Sequence, residues 1–336
     1  MTAPDFYPLE NVPQIEGLIS RHFEDGSDYP KMLAIFTNLY RVGQYPGDTT
    51  LESLRAQYTN LSNSDPRDDL IFVEVNGETV AFCRFYWERQ VDTGQYSYGI
   101  LFRVDPAWQS KGIEQCLIAW GETRGYYYAS ALPEGNQGFF VASCRELDRT
   151  RYNILIECGF SIDRYYHSMS RLLTDLPERP LPEGITVRAV LPKDYRKVWD
   201  ASNEAFMDEY GAAEPQEEWY QSYLADPNFQ PYLSQVAWDG DKVVGSVQNY
   251  ISMEENELEG HNRGYTEGIS VIREWRGRGV ATYLICRSMA MFKAMNMDEV
   301  ALIADTQNPT GAMRLYTNLG YQAYRTVFDL RKPLNV

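Results

Sequence analysis

Two kinds of hydrophobic pattern alternate along the chain, and the same order of patterns occurs twice. Short alternating runs predict strands, and runs with apolar residues three or four positions apart predict helices. In the first half, residues 71–82 (IFVEVNGETVAF) predict two strands joined by a turn at Asn76-Gly77. In the second half, residues 236–247 (VAWDGDKVVGSV) predict the same unit, with Asp239-Gly240 at its turn.

The second half predicts further elements around this hairpin. The segment 206–232 mixes aromatic and acidic residues, which favours a pair of amphipathic helices and leaves a cation-binding surface open as the alternative. The acidic run 254–259 predicts a solvated loop. The other predicted elements are a strand at 185–188, a helix at 195–206, a helix after Gly279 with Ala281, Leu284, Ile285, Met289 and Phe292 on one stripe, a buried strand at 300–304, and a helix from Asn308-Pro309 that ends before Gly320.

An internal duplication explains this order most simply. Residues 104–113 and 271–280 align with Trp108 and Trp275 in register, and Gly159 aligns with Gly320. The proline-rich segment 174–184 (TDLPERPLPEG) predicts a stiff, exposed linker. The sequence therefore predicts two domains, 1–173 and 185–336, each an α/β unit with a mixed, largely antiparallel sheet and helices on both faces.

Composition excludes several classes of protein. The net charge of −16 argues against nucleic-acid binding and favours a cationic partner such as an amine, although solubility alone would also explain it. No run of 18 apolar residues predicts a membrane span, and the N-terminus lacks the pattern of a secretory signal. Five unpatterned cysteines and three scattered histidines favour reduced thiols in the cytoplasm and no metal site.

The stretch Glu267–Ala281 (EGISVIREWRGRGVA) is the most informative in the chain. A predicted strand leads through a turn into a helix, and the positions 277, 279 and 281 are all small. Free amide N–H groups and the helix dipole make such a turn a site for a phosphate or pyrophosphate. Neither a dinucleotide-binding fingerprint, which would need Gly or Ala at Thr282, nor a P-loop fits the sequence. Four arginines around the turn favour an anion: Arg273, Arg276, Arg278 and Arg287.

The turn resembles the Q/R-x-x-G-x-G/A signature of the GCN5-related N-acetyltransferases (GNAT family). The resemblance extends over nearly the whole chain in element order, and it implies two tandem GNAT-like acyl-CoA N-acyltransferase domains. Asn203-Glu204-Ala205-Phe206, Glu267 and the intact turn together resemble tandem family members of the mycothiol synthase type. The resemblance implies acetyl-CoA as co-substrate, held by Val271, Ile272, Arg273, Arg276, Gly277, Arg278, Gly279, Val280, Ala281, Thr282 and Asn308.

The resemblance also implies two catalytic residues. Tyr316 would donate a proton to the leaving sulfur, and the alternative is a core aromatic residue of an amphipathic helix. Glu267 would act as the base or anchor the amine, and the alternative is a solvated glutamate near the start of a strand. Asn308 would bond the cofactor arm, with a turn residue or helix cap as the alternative.

The first half departs from the pattern at both places. Ser110 replaces the first glycine of the turn, Glu114 replaces the small residue, and Leu155 stands where the second half has Tyr316. A carboxylate beside a pyrophosphate is unfavourable. We interpret the first half as a degenerate copy, with a second working site as the alternative.

The sequence thus predicts an acetyl-CoA-dependent N-acetyltransferase acting on a small-molecule primary amine. Transfer would be direct, within a ternary complex. We do not propose Cys286 as a nucleophile, because we expect it to be packed inside the helix after the turn. Peptide or protein N-acetylation and a catalytically silent CoA-binding module are the alternatives. Because two fused domains can satisfy the pairing that single domains reach by dimerising, we expect a monomer.

Overall fold

The computed structural model describes residues 8–47 and 49–334, in which helices and strands alternate. The helices are α1 (Tyr29–Arg41), α2 (Leu51–Thr59), α3 (Pro66–Asp69), α4 (Ile113–Ala131), α5 (Arg149–Glu157), α6 (Tyr195–Phe206), α7 (Glu217–Ala225), α8 (Met253–Glu259), α9 (Val280–Ala294) and α10 (Ala312–Asn318). The strands are β1 (Leu18–His22), β2 (Leu70–Val75), β3 (Glu78–Arg89), β4 (Tyr96–Val104), β5 (Gly138–Arg145), β6 (Ser161–Leu172), β7 (Thr186–Val187), β8 (Gln235–Asp239), β9 (Lys242–Tyr250), β10 (Arg263–Val271), β11 (Glu299–Asp305) and β12 (Gln322–Pro333).

The chain forms two compact units that are not continuous in sequence. The first consists of the chain up to Tyr165, the segment Gln216–Asp226 and the chain from Val327 onwards. The second consists of Tyr166–Pro215 and Pro227–Thr326. The predicted division at residues 173 and 185 follows the sequence repeat rather than spatial contacts, and it stays a prediction.

In the first unit, strands pair in the order β1-β2-β3-β4-β5-β12. Asn76 and Gly77 both have positive φ, as the predicted hairpin between β2 and β3 requires. α4 covers one face of the sheet and α1 and α2 cover the other, each over its own apolar cluster. α7 packs on α2, where the Trp219 indole N–H donates to the Ser62 hydroxyl and the Ser222 hydroxyl donates to the Asn60 carbonyl at 3.0 Å.

In the second unit, strands pair in the order β6-β11-β10-β9-β8-β7. All pairs given by register are antiparallel except β10 with β11. The predicted stripe of α9 lies on this sheet, and Leu284, Ile285, Met289 and Phe292 are buried. Cys286 is buried in the same helix, as predicted.

Four predicted elements differ in the structure. Residues 206–232 contain a single helix, α7, because the segment around Pro215 interrupts the pattern. The acidic run is helix α8 and not a loop, since Ser252 caps its N-terminus and Glu255 accepts a hydrogen bond from the Tyr265 hydroxyl at 2.6 Å. The first strand of the second half shortens to β7, and α10 begins after Gly311 rather than at Asn308.

No helix in the described part of the chain is both long enough and apolar enough to cross a lipid bilayer.

Candidate active site

A cavity opens in the second unit where β10 and β11 separate. The two parallel strands pair only from Arg263 opposite Glu299 to Tyr265 opposite Ala301. Beyond that point β10 contains a bulge between Glu267 and Ser270, which turns its backbone away from β11. The resulting cavity has a volume of about 730 Å³, and both separating strands line it.

The glycine-rich turn forms one wall of this cavity. Gly277 and Gly279 have φ values of +72° and +83°, and a Cβ atom at either position would meet nothing within 4 Å. Glycine is favoured at both positions because of the positive φ, and not because a neighbouring atom leaves no room for a side chain. The space in front of α9 is therefore open. Val280, Ala281 and Thr282, the first residues of α9, line the cavity. Because the first N–H groups of a helix have no intrahelical partners, the turn fits the pyrophosphate of acetyl-CoA.

The arginines around the turn serve mainly as structural links. Arg276 donates to the carbonyl oxygens of Val271 (3.0 Å) and Ala205 (2.8 Å) and pairs with Asp208 (2.8 Å). It therefore ties the end of β10 to the end of α6. Arg273 pairs with the same Asp208.

The other two arginines near the turn also have protein partners. The guanidinium of Arg278 lies 4.7 Å from the centre of the Trp275 ring. Arg287 donates to the side-chain oxygen of Gln235 at 2.7 Å. The positive charge around the turn is thus largely committed within the protein, which leaves the backbone N–H groups as the turn's main anion donors.

Glu267 lies on β10 at the bulge and lines the cavity. Burial raises the pKa of its carboxyl group to about 8, against a smaller opposing effect of the hydrogen bond from the Ile303 backbone. A base with a pKa near the working pH is well suited to accept a proton from an amine or from an intervening water. An acidic residue is unusual on an otherwise apolar strand face, and Glu267 occurs there because its side chain lines the cavity.

Tyr316 lies on α10 and reaches the cavity with 7% of its surface exposed. Its ring packs edge-on against Tyr321, with the ring centres 6.1 Å apart. Burial raises the pKa of its phenol, and the nearby carboxylates Glu209 and Glu267 raise it further. The phenol therefore stays protonated at neutral pH, as a proton donor must.

Asn308 bonds a carboxylate that the sequence did not single out as a site residue. Its side-chain amide donates to Glu209 at 3.0 Å, and its own oxygen accepts the Thr310 backbone N–H at 2.8 Å. Asn308 is thus a turn residue and a cavity residue at once. Glu209 also lines the cavity, and burial raises its pKa. Only the mixture of acids and aromatics in its segment indicated it, since an irregular loop has no periodicity to show which side chains point inward.

The structure brings most of the predicted residues into one place. Ile272 is buried, and its backbone N–H donates to the Val244 carbonyl at 3.1 Å, while Arg273 and Arg278 are exposed. These three do not line the cavity, and their proposed contacts stay predictions. The predicted residues that line it are Glu267, Val271, Arg276, Gly277, Gly279, Val280, Ala281, Thr282, Asn308 and Tyr316.

The corresponding turn of the first unit is filled by its own side chain. Ser110 and Gly112 have φ values of +59° and +90°, so the backbone repeats the conformation of Gly277 and Gly279. The carboxylate of Glu114, which is buried, accepts the Ser110 backbone N–H at 2.8 Å. A Cβ atom at Gly112 would lie 3.5 Å from Pro13, whereas the space at Gly279 is open.

The strand gap of the first unit is also occupied. β4 and β5 pair in parallel from Tyr96 to Gly99, and beyond this the side chain of Arg151 bridges them. It donates to the carbonyls of Phe102 on β4 (2.9 Å) and Ser143 on β5 (2.8 Å). Leu155, which aligns with Tyr316, is buried in the core.

Part of the second unit matches the sequence model of a known family. Residues 195–321, which contain the separating strands, the turn and Tyr316, match the sequence model of the Acetyltransferase (GNAT) family. Among the residues that the structure describes, no group of three or more His, Cys, Asp or Glu side chains could hold a metal ion.

Curated relatives of two kinds are similar to this chain. N-alpha-acetyltransferase 30 of Schizosaccharomyces pombe is 31% identical over 98 residues, which are 29% of this chain and 63% of the relative. Mycothiol acetyltransferase of Thermobispora bispora is 29% identical over 222 residues, which are 65% of this chain and 70% of the relative. The match thus covers slightly less than two thirds of the first relative and slightly more than two thirds of the second.

Solved structures extend the similarity of fold over both units. A GCN5-related N-acetyltransferase from Sphaerobacter thermophilus has a TM-score of 0.70 at 23% identity and covers 96% of this chain and 97% of its own. A tandem GNAT protein from the clavulanic acid biosynthesis pathway has a TM-score of 0.66 at 12% identity, covering 95% of this chain and 99% of its own. The chain thus has a tandem GNAT fold, as the element order predicted.

Proposed function

We propose that this chain is an acetyl-CoA-dependent N-acetyltransferase that acetylates a primary amine of a small molecule within a ternary complex. The observation that carries the proposal is that Glu267, Tyr316 and the glycine-rich turn line one and the same cavity. The family of residues 195–321 and the similarity to mycothiol acetyltransferase support it.

The proposed chemistry divides between the two catalytic candidates. Acetyl-CoA, when bound, supplies a thioester carbonyl that the amine nitrogen attacks. Glu267 accepts the proton that the amine loses, directly or through a water. As the bond between carbon and sulfur breaks, Tyr316 gives its proton to the sulfur. Holding both substrates in one cavity supplies the orientation that the reaction needs.

The first unit has a supporting role in this proposal. Glu114 and Arg151 occupy the places that correspond to the turn and the strand gap of the second unit. We therefore expect one acetyl-CoA site per chain and no catalysis in the first unit.

The test is the rate of acetyl transfer by two conservative variants. Tyr316→Phe and Glu267→Gln each remove one proton-transfer group, so kcat should fall by at least about a hundredfold while the Kd for acetyl-CoA changes little. Tyr324→Phe is the matched control, because Tyr324 lies on β12 outside the cavity lining and bonds Arg263. Equal rates for all three variants and the wild type would leave only a silent CoA-binding module.

Peptide N-termini are a second candidate class of acceptor. The similarity to N-alpha-acetyltransferase 30 favours this class, although it covers only 29% of the chain. Comparing kcat/KM for a free amine with that for a short peptide of the same N-terminal residue separates the classes. A large gain with peptide length would favour peptide acetylation.

A further inference from the structure

Two arginines of the first unit are neighbours on one face of its sheet. Arg84 on β3 lies opposite Leu101 on β4, two residues before Arg103. Diagonal neighbours of this kind lie about 7–8 Å apart on the same face of an antiparallel pair. Leu101 packs against the apolar cluster of α1 and α2, so both arginines are on the face that these helices cover.

A third arginine shares a hydrogen-bond acceptor with the second. Arg103 donates to the carbonyl oxygen of Phe102 at 2.7 Å, and Arg151 on α5 donates to the same oxygen at 2.9 Å. Two guanidinium groups on one oxygen are close enough to repel each other. Burial and the charge of Arg103 accordingly lower the pKa of Arg151 to about 10. Positive charge is thus concentrated where β4 and β5 separate.

None of these three arginines forms an ion pair with a carboxylate of the described chain. Elsewhere in the same unit, Arg124 pairs with Asp69 at 2.6 Å. Glu88 shares a face of β3 with Arg84, and burial raises its pKa, an effect that Arg84 opposes without forming an ion pair. Asp148 accepts a backbone N–H as the cap of α5. Cations held partly out of water without a counter-ion are unfavourable, so an anion would be stabilised here.

The hydrogen bonds of these arginines point to a ligand independently of their charge. The Nε atoms of Arg84 and Arg103 are both buried, and neither has a hydrogen-bond partner among the residues that the structure describes. The guanidinium of Arg84 lies 5.4 Å from the centre of the Tyr58 ring and 5.2 Å from that of Tyr86, and Arg103 lies 4.7 Å from that of Tyr45. Buried donors without an acceptor indicate an ion or water that completes the site.

We infer that Arg84, Arg103 and Arg151 form a binding site for a small oxyanion, a phosphate or a carboxylate, in the first unit. The planar fork of a guanidinium group matches the oxygen pairs of both groups. All three residues are half-buried, so part of each reaches the surface. This site would give the first unit a ligand of its own, and it does not depend on the proposed function.

The test is calorimetric titration of the full chain with inorganic phosphate at constant ionic strength. A Gly279→Glu background keeps phosphate out of the open turn of the second unit, so that the arginine site is measured alone. Arg103→Met should weaken binding at least about tenfold, because a charged donor to the anion is lost. Arg89→Met is the matched control and should bind as before, since Arg89 is an exposed residue of β3 that pairs with Glu134 at 3.4 Å.

A parallel titration with succinate identifies the kind of oxyanion. Binding of succinate instead of phosphate, weakened by Arg103→Met, would support the site and assign it to carboxylates. Failure of both anions to bind would overturn the inference, as would binding that survives Arg103→Met in a chain with unchanged Tm. If Arg103→Met lowers Tm, Arg84→Met on the neighbouring strand takes its place and should weaken binding in the same way.

Discussion

Glu267 is a carboxyl group that the protein keeps protonated to unusually high pH. Its pKa of about 8 results from burial at the edge of the cavity, where few groups replace the water that an exposed carboxylate would bind. The same burial that makes it a suitable base therefore makes it costly to ionise in the folded protein. Activity and stability should respond to this group in opposite directions.

The activity should rise with pH through the titration of Glu267. We expect the acid limb of kcat/KM to lie near pH 8 in the wild type and to stay there for acceptor amines with different pKa values. Glu267→Gln should remove this limb together with most of the rate. An acid limb that moves with the pKa of the acceptor would instead assign the titration to the amine.

The stability should fall over the same range of pH. The folded protein holds this proton more tightly than the unfolded chain, whose glutamates titrate at about 4.5, so raising the pH from 4.5 to 8 favours unfolding. Glu267→Gln should therefore raise Tm more at pH 9 than at pH 6. Glu204→Gln, at an exposed site, should show no such difference, and an equal shift at both pH values would contradict the burial of Glu267.

Sequence reasoning predicted some of these residues and missed another for a physical reason. Glu267 and Tyr316 were selected because the family resemblance implies residues at fixed positions relative to a turn and to a glycine. Glu209 comes from a loop whose direction depends on Arg276, Asp208 and Asn308. Such contacts between distant segments leave no local pattern in the sequence.

At the scale of elements, the strand–turn–helix unit from β10 to α9 links neighbouring segments, in addition to the cofactor-binding role that we propose for it. Arg276 bonds three groups in β10, α6 and the loop after it. An arginine at this position of the turn motif therefore holds the turn in place through these three hydrogen bonds.

The hydrophobic stripe of α9 and the range of α6 were predicted well because both depend on local periodicity. Helix α8 was not predicted, because it is stabilised by the Ser252 cap and by the hydrogen bond from Tyr265 to Glu255 and not by a periodic apolar pattern.

Removing the guanidinium should loosen this link. Arg276→Met should lower the free energy of unfolding by about 1–3 kcal/mol, because the carbonyls of Val271 and Ala205 lose their donor. The Kd for acetyl-CoA should rise with it, as the turn loses its fixed position. Arg278→Met is the control, since Arg278 is exposed and contacts the ring of Trp275. Similar chemical denaturation curves for both variants would contradict the linking role.

At the scale of the whole molecule, the two units share a backbone plan and differ in what fills it. Sequence alignment of the halves predicted both turns, and the φ values of Ser110 and Gly112 agree with it. It could not show that Glu114 folds back onto the Ser110 N–H or that Arg151 bridges two strands. Those details depend on side-chain packing, which the aligned positions alone do not determine.

The stoichiometry of acetyl-CoA binding should reflect this difference. Calorimetry should give one site per chain, and Gly279→Glu should abolish it by placing a carboxylate in the open space before α9. Gly112→Glu, at the matching position of the first unit and with a similarly positive φ, should leave it unchanged. Two sites in the wild type would revive the first unit as a working copy.

The filled turn of the first unit has a consequence for how the chain responds to its surroundings. A turn that carries its own carboxylate has its amide satisfied at any metabolite concentration, whereas an open turn gains stability in proportion to the logarithm of the ligand concentration above its Kd. The resistance of the second unit to proteolysis should therefore increase as acetyl-CoA accumulates, and that of the first should not. Within one polypeptide, the proteolytic lifetime of the second unit would depend on the concentration of acetyl-CoA, and that of the first unit would not.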